Sequence, residues 1–527
     1  MRTRIQALLL AVLSLGACTV KTTVQVTATT PAAVTHLYVT VKELWFTTSA
    51  AATTSDNTWV RKVLSDPVTI DLSSLNDGTT ASLASLTLDV GTYAQIRLVL
   101  ADVGEDLVDS ADALGLAWNN AVQYVDAAGV THLVGLELPH PGASLLIAAP
   151  LELGGNSSLD SLSLTTDETS TVVVDIDALQ GLILFTDNGE PRAMLSPVLR
   201  AHDQSKAGTL TGTFDLSGIT SPAGGKQGIV VSAEVIDTDG TRHAVVKSTR
   251  LRSDGSFTLS PLPDDSTYDI VVQGAGVTTL LVTGIAVKAG ETTTLQTSSI
   301  PLSAASTFLV NTANTVYGGT FAEFYQTLPT SSKPYLIDSL PVNPFAGGFF
   351  ADQALSAGPL MYGAYNAGGT ISFTTANADE GLARYQLAGN SRWRASSSFV
   401  TVAGNSGGST TVQSVTVPQP ALPANALTGS VSGTVFIATA GRYDSVQMIV
   451  SRGGQIVDTR DLGSSLGQST AIAFTIANLP ARTADAVYDL SIRAWNSRDP
   501  ANTLVRVALA APLDLRQNSV TGLSLQL

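Results

Sequence analysis

The sequence predicts an all-β chain of tandem β-sandwich modules, and three observations carry that prediction. Charged residues make up only 13% of the chain and aromatics 6%, while Ala, Thr, Ser, Val, Leu and Gly dominate. Amphipathic helices need Glu, Lys and Arg on their wet faces, so this composition suits short strands joined by small-residue turns. Apolar and polar residues alternate with period two, as in His36-Leu37-Tyr38-Val39-Thr40-Val41, which places one parity on a buried face. Finally, Leu210-Thr211-Gly212-Thr213-Phe214 recurs as Leu427-Thr428-Gly429-Ser430-Val431, and each copy reaches a Leu-Pro pair (Pro263, Pro480) after the same 53 positions. A chain of 527 residues has room for about three or four domains.

The first element is a leader. Arg2 and Arg4 precede an apolar run, Ile5 to Leu15, that closes on Leu15-Gly16-Ala17-Cys18. The run is shorter than the roughly 20 apolar residues a spanning helix needs, and its order is that of an export signal. It resembles the precursors of diacylglyceryl-modified bacterial lipoproteins. That resemblance implies that residues 1–17 are a signal peptide and that Cys18 carries palmitate-type acyl chains as the mature N-terminus. It also implies a membrane partner through that lipid, since several acyl chains hold firmly where one holds marginally. Thr19 stands where an Asp would retain such a protein at the inner membrane, so the expected address is the outer membrane. Residues 18–22 are read as lipidated cysteine and short tether. Cys18 is the only cysteine, so the later domains must be held by their cores and not by disulfides. A formal net charge of −15, with no basic cluster, argues against nucleic acid as a partner.

Residues 23–205 form the expected first domain. Strand candidates are Val24 to Val26, His36 to Phe46, Val68 to Leu72, Tyr93 to Leu100, Ser144 to Ala148, Thr171 to Ile176 and Arg192 to Leu199. Leu37, Val39, Val41 and Trp45 share one parity and are expected on one face. The pieces Leu37 to Trp45, Trp59-Val60, Ile70 to Leu75, Gly91 to Leu98, Val174-Asp175-Ile176 and Leu195-Ser196-Pro197-Val198 together resemble the bacterial domain of unknown function 4382 (DUF4382). That resemblance implies a β-sandwich of surface or periplasmic lipoproteins and brings no catalytic residues. The acidic stretch Asp102 to Asp112 lacks the glycine and terminal Glu of an EF-hand loop, and reads as a solvated turn or short helix ahead of a cation-binding loop.

The repeats follow as residues 206–303, 304–423 and 424–527. Phe257-Thr258-Leu259 returns as Phe474-Thr475-Ile476, and Tyr268-Asp269-Ile270 as Tyr488-Asp489-Leu490. In the divergent middle copy, Phe373-Thr374-Thr375-Ala376-Asn377 is taken as the echo of Phe474 to Asn478. Tyr385 is taken as its tyrosine and Val412 to Val417 as its last strand. The run from Asp254-Gly255 through Leu262-Pro263 to Tyr268 resembles the carboxypeptidase regulatory-like domain, a transthyretin-type β-sandwich. That family supplies spacers or binding platforms and lacks the zinc peptidase site.

Three constellations could carry chemistry. Gly404-Asn405-Ser406-Gly407-Gly408 looks like the surroundings of a chymotrypsin-type nucleophile, but the histidine and aspartate order that such a serine needs is missing. A Gly/Ser hairpin is the preferred reading. His132, Glu137 and His140 are the closest grouping of metal-ligand types, and with no spacing suited to zinc they read as surface residues. The third is an aromatic, glycine-interleaved segment of the middle copy, from Tyr317 to Tyr365. It reads first as the core of an enlarged loop and second as a surface that stacks on sugar rings or a protein partner. Phe324, Tyr335, Phe349 and Tyr362 are its candidate binding residues. The expectation is a non-enzymatic lipoprotein with a structural or binding role in adhesion or envelope scaffolding, with no catalytic residues, no metal and no cofactor. The alternative is a receptor for carbohydrate or surface polymer. A serine hydrolase using Ser406 is the remote alternative.

Overall fold

In the computed structural model the described residues are 19–527 apart from 143, 149–161, 166–168, 188, 220–227, 238, 265, 313–318, 346–348, 377–380, 392–395, 405–411, 423–425, 464–468, 484–485, 497 and 499–503. The leader, Cys18 and Ser406 therefore lie outside the described residues.

The chain enters its first sheet at once. Thr19–Thr29 runs centrally in a four-stranded sheet, parallel to Ser170–Asp177 and antiparallel to Ala81–Asp89, with Val198–Asp203 on the far side of Ser170–Asp177. The expected tether at 18–22 is corrected by this register, in which Thr19 already pairs with Asp89. Val20, Thr22, Val24 and Val26 share one parity and are all buried, so the core begins two residues after Cys18. The facing sheet has eight strands built around Val34–Thr47. Leu37, Val39 and Val41 face the core as expected, but a bulge between Val41 and Glu43 reverses the parity. Leu44 and Phe46 then turn inward. Trp45 is left on the opposite face, 5.7 Å from Trp59 and under the Arg61 guanidinium at 3.8 Å. A bulge adds one residue on one strand and so undoes any parity argument across it.

The three repeats share one strand order. In each, the first strand (Ala207–Asp215, Ala305–Thr312, Thr428–Phe436) is the centre of a three-stranded sheet. It lies antiparallel to the fourth (Ser256–Pro263, Phe349–Ser356, Ala471–Pro480) and parallel to the last (Thr292–Ser299, Gln413–Val417, Val520–Gln526). The facing sheet runs third, second, fifth, sixth in every copy. Each copy also fastens its fourth strand with a buried tyrosine from the fifth. Tyr268 Oη donates to Pro263 O at 2.6 Å, Tyr385 to Ser356 O at 2.7 Å and Tyr488 to Pro480 O at 2.7 Å. The tyrosine matched in the divergent copy is thus the right one. The echo at Phe373 to Asn377 is not: the fourth strand there is Phe349–Ser356, and Thr374–Thr375 belongs to an insertion. The insertion places Met361–Ala364 parallel to Leu280–Ala286, extending the preceding copy's sheet to six strands. Local resemblance of Phe-Thr-Thr to Phe-Thr-Ile could not distinguish a strand of one sheet from a strand donated to the next.

Candidate functional site

Alternation along the larger sheets puts apolar residues on each copy's own core and a second set of residues on the outer face. In the last copy Tyr488, Leu490, Ile492 and Ala494 enter the core, leaving Ser491 and Arg493 on the other side. That outer face is not wet. It is covered by the N-terminal domain, and the most elaborate polar site of the protein lies between them.

Arg493, 1% exposed, is its centre. Its Nε and Nη2 donate to the two oxygens of Glu137 at 2.9 and 3.0 Å, Nη1 donates to Gln447 Oε1 at 2.8 Å, and Nη2 also reaches Asp187 Oδ2 at 3.3 Å. Phe185, Phe345 and Trp495 stand around the guanidinium with ring centroids 5.3, 4.9 and 5.3 Å from Cζ. A planar, permanently charged fork satisfies a bidentate carboxylate and stacks on rings in a way an ammonium does not. Burial raises the Asp187 carboxyl above its usual range, opposed by the Arg493 charge. Around the fork, Ser491 Oγ donates to Pro139 O, Arg506 holds Asp102 and Leu138 O, and Leu146 N donates to Gly453 O. Ile183, Phe185, Met194, Ile449 and Ile456 seal it with apolar surface, joined by Phe345 from the middle copy. Three of the four units therefore meet at one ion pair.

A second junction ties the N-terminal domain to the first copy. Val172, Val174 and Ile176 face the core, so Asp175 and Asp177 lie on the outer face of Ser170–Asp177. Lys247 of the first copy reaches Asp175 at 2.6 Å, and Arg200 lies 3.9 Å from Asp175 and 3.7 Å from Asp177. Thr29 Oγ1 donates to Ser248 O, and Asp77 accepts from Thr249 and Arg252. Burial pushes the His202 imidazole beside this cluster down to about 4.

The third junction lies between the first and middle copies. Val271 and Leu281 turn away from their own sandwich into the next copy's core. Glu234, fully buried, accepts the Leu336 amide at 3.1 Å. Its carboxyl is held well above the usual range, first by burial.

The sequence-derived candidates fall into this frame unevenly. Phe324 is fully buried and packs against Phe308 and Tyr385, so it is core and not a contact surface. Tyr335 is also corrected. It is buried, stacks 3.7 Å over His243 and donates to Asp269 at 2.9 Å, closing the junction between copies. Tyr362 is half-buried on the donated strand. Phe349 opens a strand, but its side chain lies outside the described residues. Much of the aromatic segment therefore fills the middle copy's core and its seams with other units. His132, Glu137 and His140 do not converge. His132 pairs with Asp126 at 2.8 Å, and Glu137, expected at the surface, is buried under Arg493. Among the described residues no three His, Cys, Asp or Glu side chains gather as for a metal ion. The acidic stretch forms turns and a short helix, Asp109–Asp112; Asp102 caps Gly104 and Gly142 and meets Arg506. Sequence reading missed Arg493, Lys247, Asp175 and Glu234, whose one signal was a charge next to an apolar residue of a strand.

Residues 19–197 match the family model described as a domain of unknown function (DUF4382), so the first unit is a DUF4382 domain. No match was found among curated proteins. Among solved structures the chain is similar to the TIE protein of Bacillus anthracis, at 10% identity over 94% of this chain and 68% of that one, with a TM-score of 0.16. BcpA, the major pilin subunit of Bacillus cereus, matches at 10% identity over 61% and 98% with a TM-score of 0.12. Two B repeat units of the collagen binding protein of Staphylococcus aureus match at 9% identity over 94% and 100% with a TM-score of 0.12. The tandem all-β architecture rests on the strand orders given above.

Proposed function

We propose that this chain is a non-enzymatic, extracytoplasmic lipoprotein, acylated at Cys18 and held at the outer membrane, whose β-sandwich units form a fused scaffold for adhesion or envelope structure. The observation that supports a scaffold is the set of junctions. A chain of independent binding modules would keep wet, mobile seams, whereas here each seam carries fully buried charges held by hydrogen bonds across it. Separating such seams returns their apolar surface to water, which costs about 25 cal/mol per Å² exposed. With the first ladder pair at Thr19, an acyl group on Cys18 would hold the DUF4382 domain directly against the lipid surface, with no flexible stalk.

The anchoring reading is tested by metabolic palmitate labelling. Label should be lost in Cys18→Ser, with the protein leaving the membrane fraction; label that survives the substitution refutes it. Protease treatment of whole cells then separates adhesion, which needs surface exposure, from periplasmic scaffolding.

A further inference from the structure

The junction between the DUF4382 domain and the first repeat differs chemically from the others. Arginine, used at the last copy, is not a nucleophile at any ordinary pH, whereas a lysine amine becomes one once it gives up its proton. Lys247 Nζ lies 2.6 Å from Asp175 Oδ1, and both side chains are only 1% exposed. The amine thus contacts the oxygen borne by Cγ, shielded from solvent, so the two groups that would react are held together. As an ion-pair network the cluster is poorly completed. His202 Nε2 is buried without a hydrogen-bond partner, and Asp177 Oδ2 and Arg200 Nη1, also without one, meet only as an ion pair at 3.7 Å. Unmatched buried polar atoms cost about 1–3 kcal/mol each, so a purely structural role leaves this composition unexplained.

We propose that Lys247 and Asp175 condense to an intramolecular isopeptide bond that ties the DUF4382 domain covalently to the first repeat, with Asp177 as the proton-transfer acid. The ammonium first passes a proton to the Asp175 carboxylate across their contact, giving a neutral amine and a neutral carboxylic acid. The nitrogen lone pair attacks Cγ and a C–N bond forms; Asp177 gives its proton to the former carbonyl oxygen and recovers one from the nitrogen. The Cγ–O bond then breaks and the departing hydroxyl leaves with a proton as water. One amide and one water are formed, Asp177 ends as it began, and no oxidant or other reactant is consumed.

The surroundings suit these steps. Burial raises the Asp177 carboxyl, against the opposing charges of Arg200 and Lys247, which favours the protonated form that the transfer needs. Arg200, within 4 Å of both carboxyl groups, is placed to stabilise negative charge on oxygen during attack. The reaction is a single self-modification that follows docking, because the two residues come from separate units. It would supply a covalent brace in a chain whose sole cysteine is Cys18.

Digestion of the purified full-length protein with a Glu-specific protease tests this directly. The Glu190–Pro191 bond resists the protease, so cleavage after Glu168, Glu234 and Glu291 isolates Asp175 in 169–234 and Lys247 in 235–291. The expected product is one branched peptide joining the two segments, lighter than their sum by one water, with fragmentation placing the bond at Lys247 and Asp175. Lys247→Arg and Asp175→Ala should return two linear peptides. Asp177→Asn should slow appearance of the branched peptide after refolding by about 10²-fold or more. The wild-type digest decides the matter whether or not a variant folds. Two linear peptides at full mass, from protein shown to melt cooperatively, overturn the proposal.

Discussion

Replacing Arg493 by alanine removes the centre of the junction between the DUF4382 domain and the last repeat. In the intact protein its guanidinium satisfies both oxygens of Glu137, Gln447 Oε1 and Asp187 Oδ2. The substitution leaves Glu137, 3% exposed, without its bidentate partner and with only Arg506 Nε, at 3.6 Å, to balance its charge. Losing one partner of a buried pair costs about 3–5 kcal/mol. The loss of stacking on Phe185, Phe345 and Trp495 adds roughly 0.5–2 kcal/mol, partly offset by Arg506, which stays beside Glu137. A net loss near 4 kcal/mol corresponds to about a thousandfold fall in protection at 1.4 kcal/mol per decade. Native-state hydrogen exchange of the amides in Val487–Trp495 reads this locally. The companion substitution Glu137→Gln should recover part of the loss in the Arg493→Ala background, because the stranded charge is then gone. Protection reduced less than tenfold in Arg493→Ala, or no coupling between the two sites, would refute the account of a buried ionic lock.

Two further outcomes are expected. Phe324→Ala should cost about 3–5 kcal/mol because Phe324 fills the middle core between Phe308 and Tyr385. Tyr362→Ala, half-buried, should cost distinctly less in the same thermal melts, and equal losses would contradict the assigned burial. His202, buried with its imidazole pushed down from 6.5 to about 4, binds a proton more readily unfolded than folded. Its contribution is whole above pH 6.5 and declines as pH falls toward 4. The shift corresponds to about 3 kcal/mol at 1.36 kcal/mol per unit. His202→Gln should flatten the acid limb of a stability-against-pH curve by that order, and an unchanged limb would exclude His202 as its source.

Core-facing parity was legible in the sequence because it is local: side chains two apart share a face whatever lies around them. That is why the strands from His36, Thr171 and Tyr93 were found. The repeated tyrosines Tyr268, Tyr385 and Tyr488 were matched for a related reason, since each acts within its own sandwich on a carbonyl of the fourth strand. The strand Ala81–Asp89 escaped notice because its Leu83, Leu86 and Leu88 do not keep one parity: Leu83 is the extra residue of a bulge opposite Val24 and Gln25. The same failure put Trp45 on the wrong face.

The sequence by itself determined the all-β class, the threefold repeat and which side of many strands is apolar. Tertiary structure alone decided what covers the other side. Arg493, Glu137, Lys247, Asp175 and Glu234 occupy positions that alternate away from their own cores, and in an isolated sandwich they would meet water. Docking of one unit on the next turned those faces inward and obliged their charges to pair. Periodicity records which way a side chain points, and only the arrangement of distant segments sets what it points at.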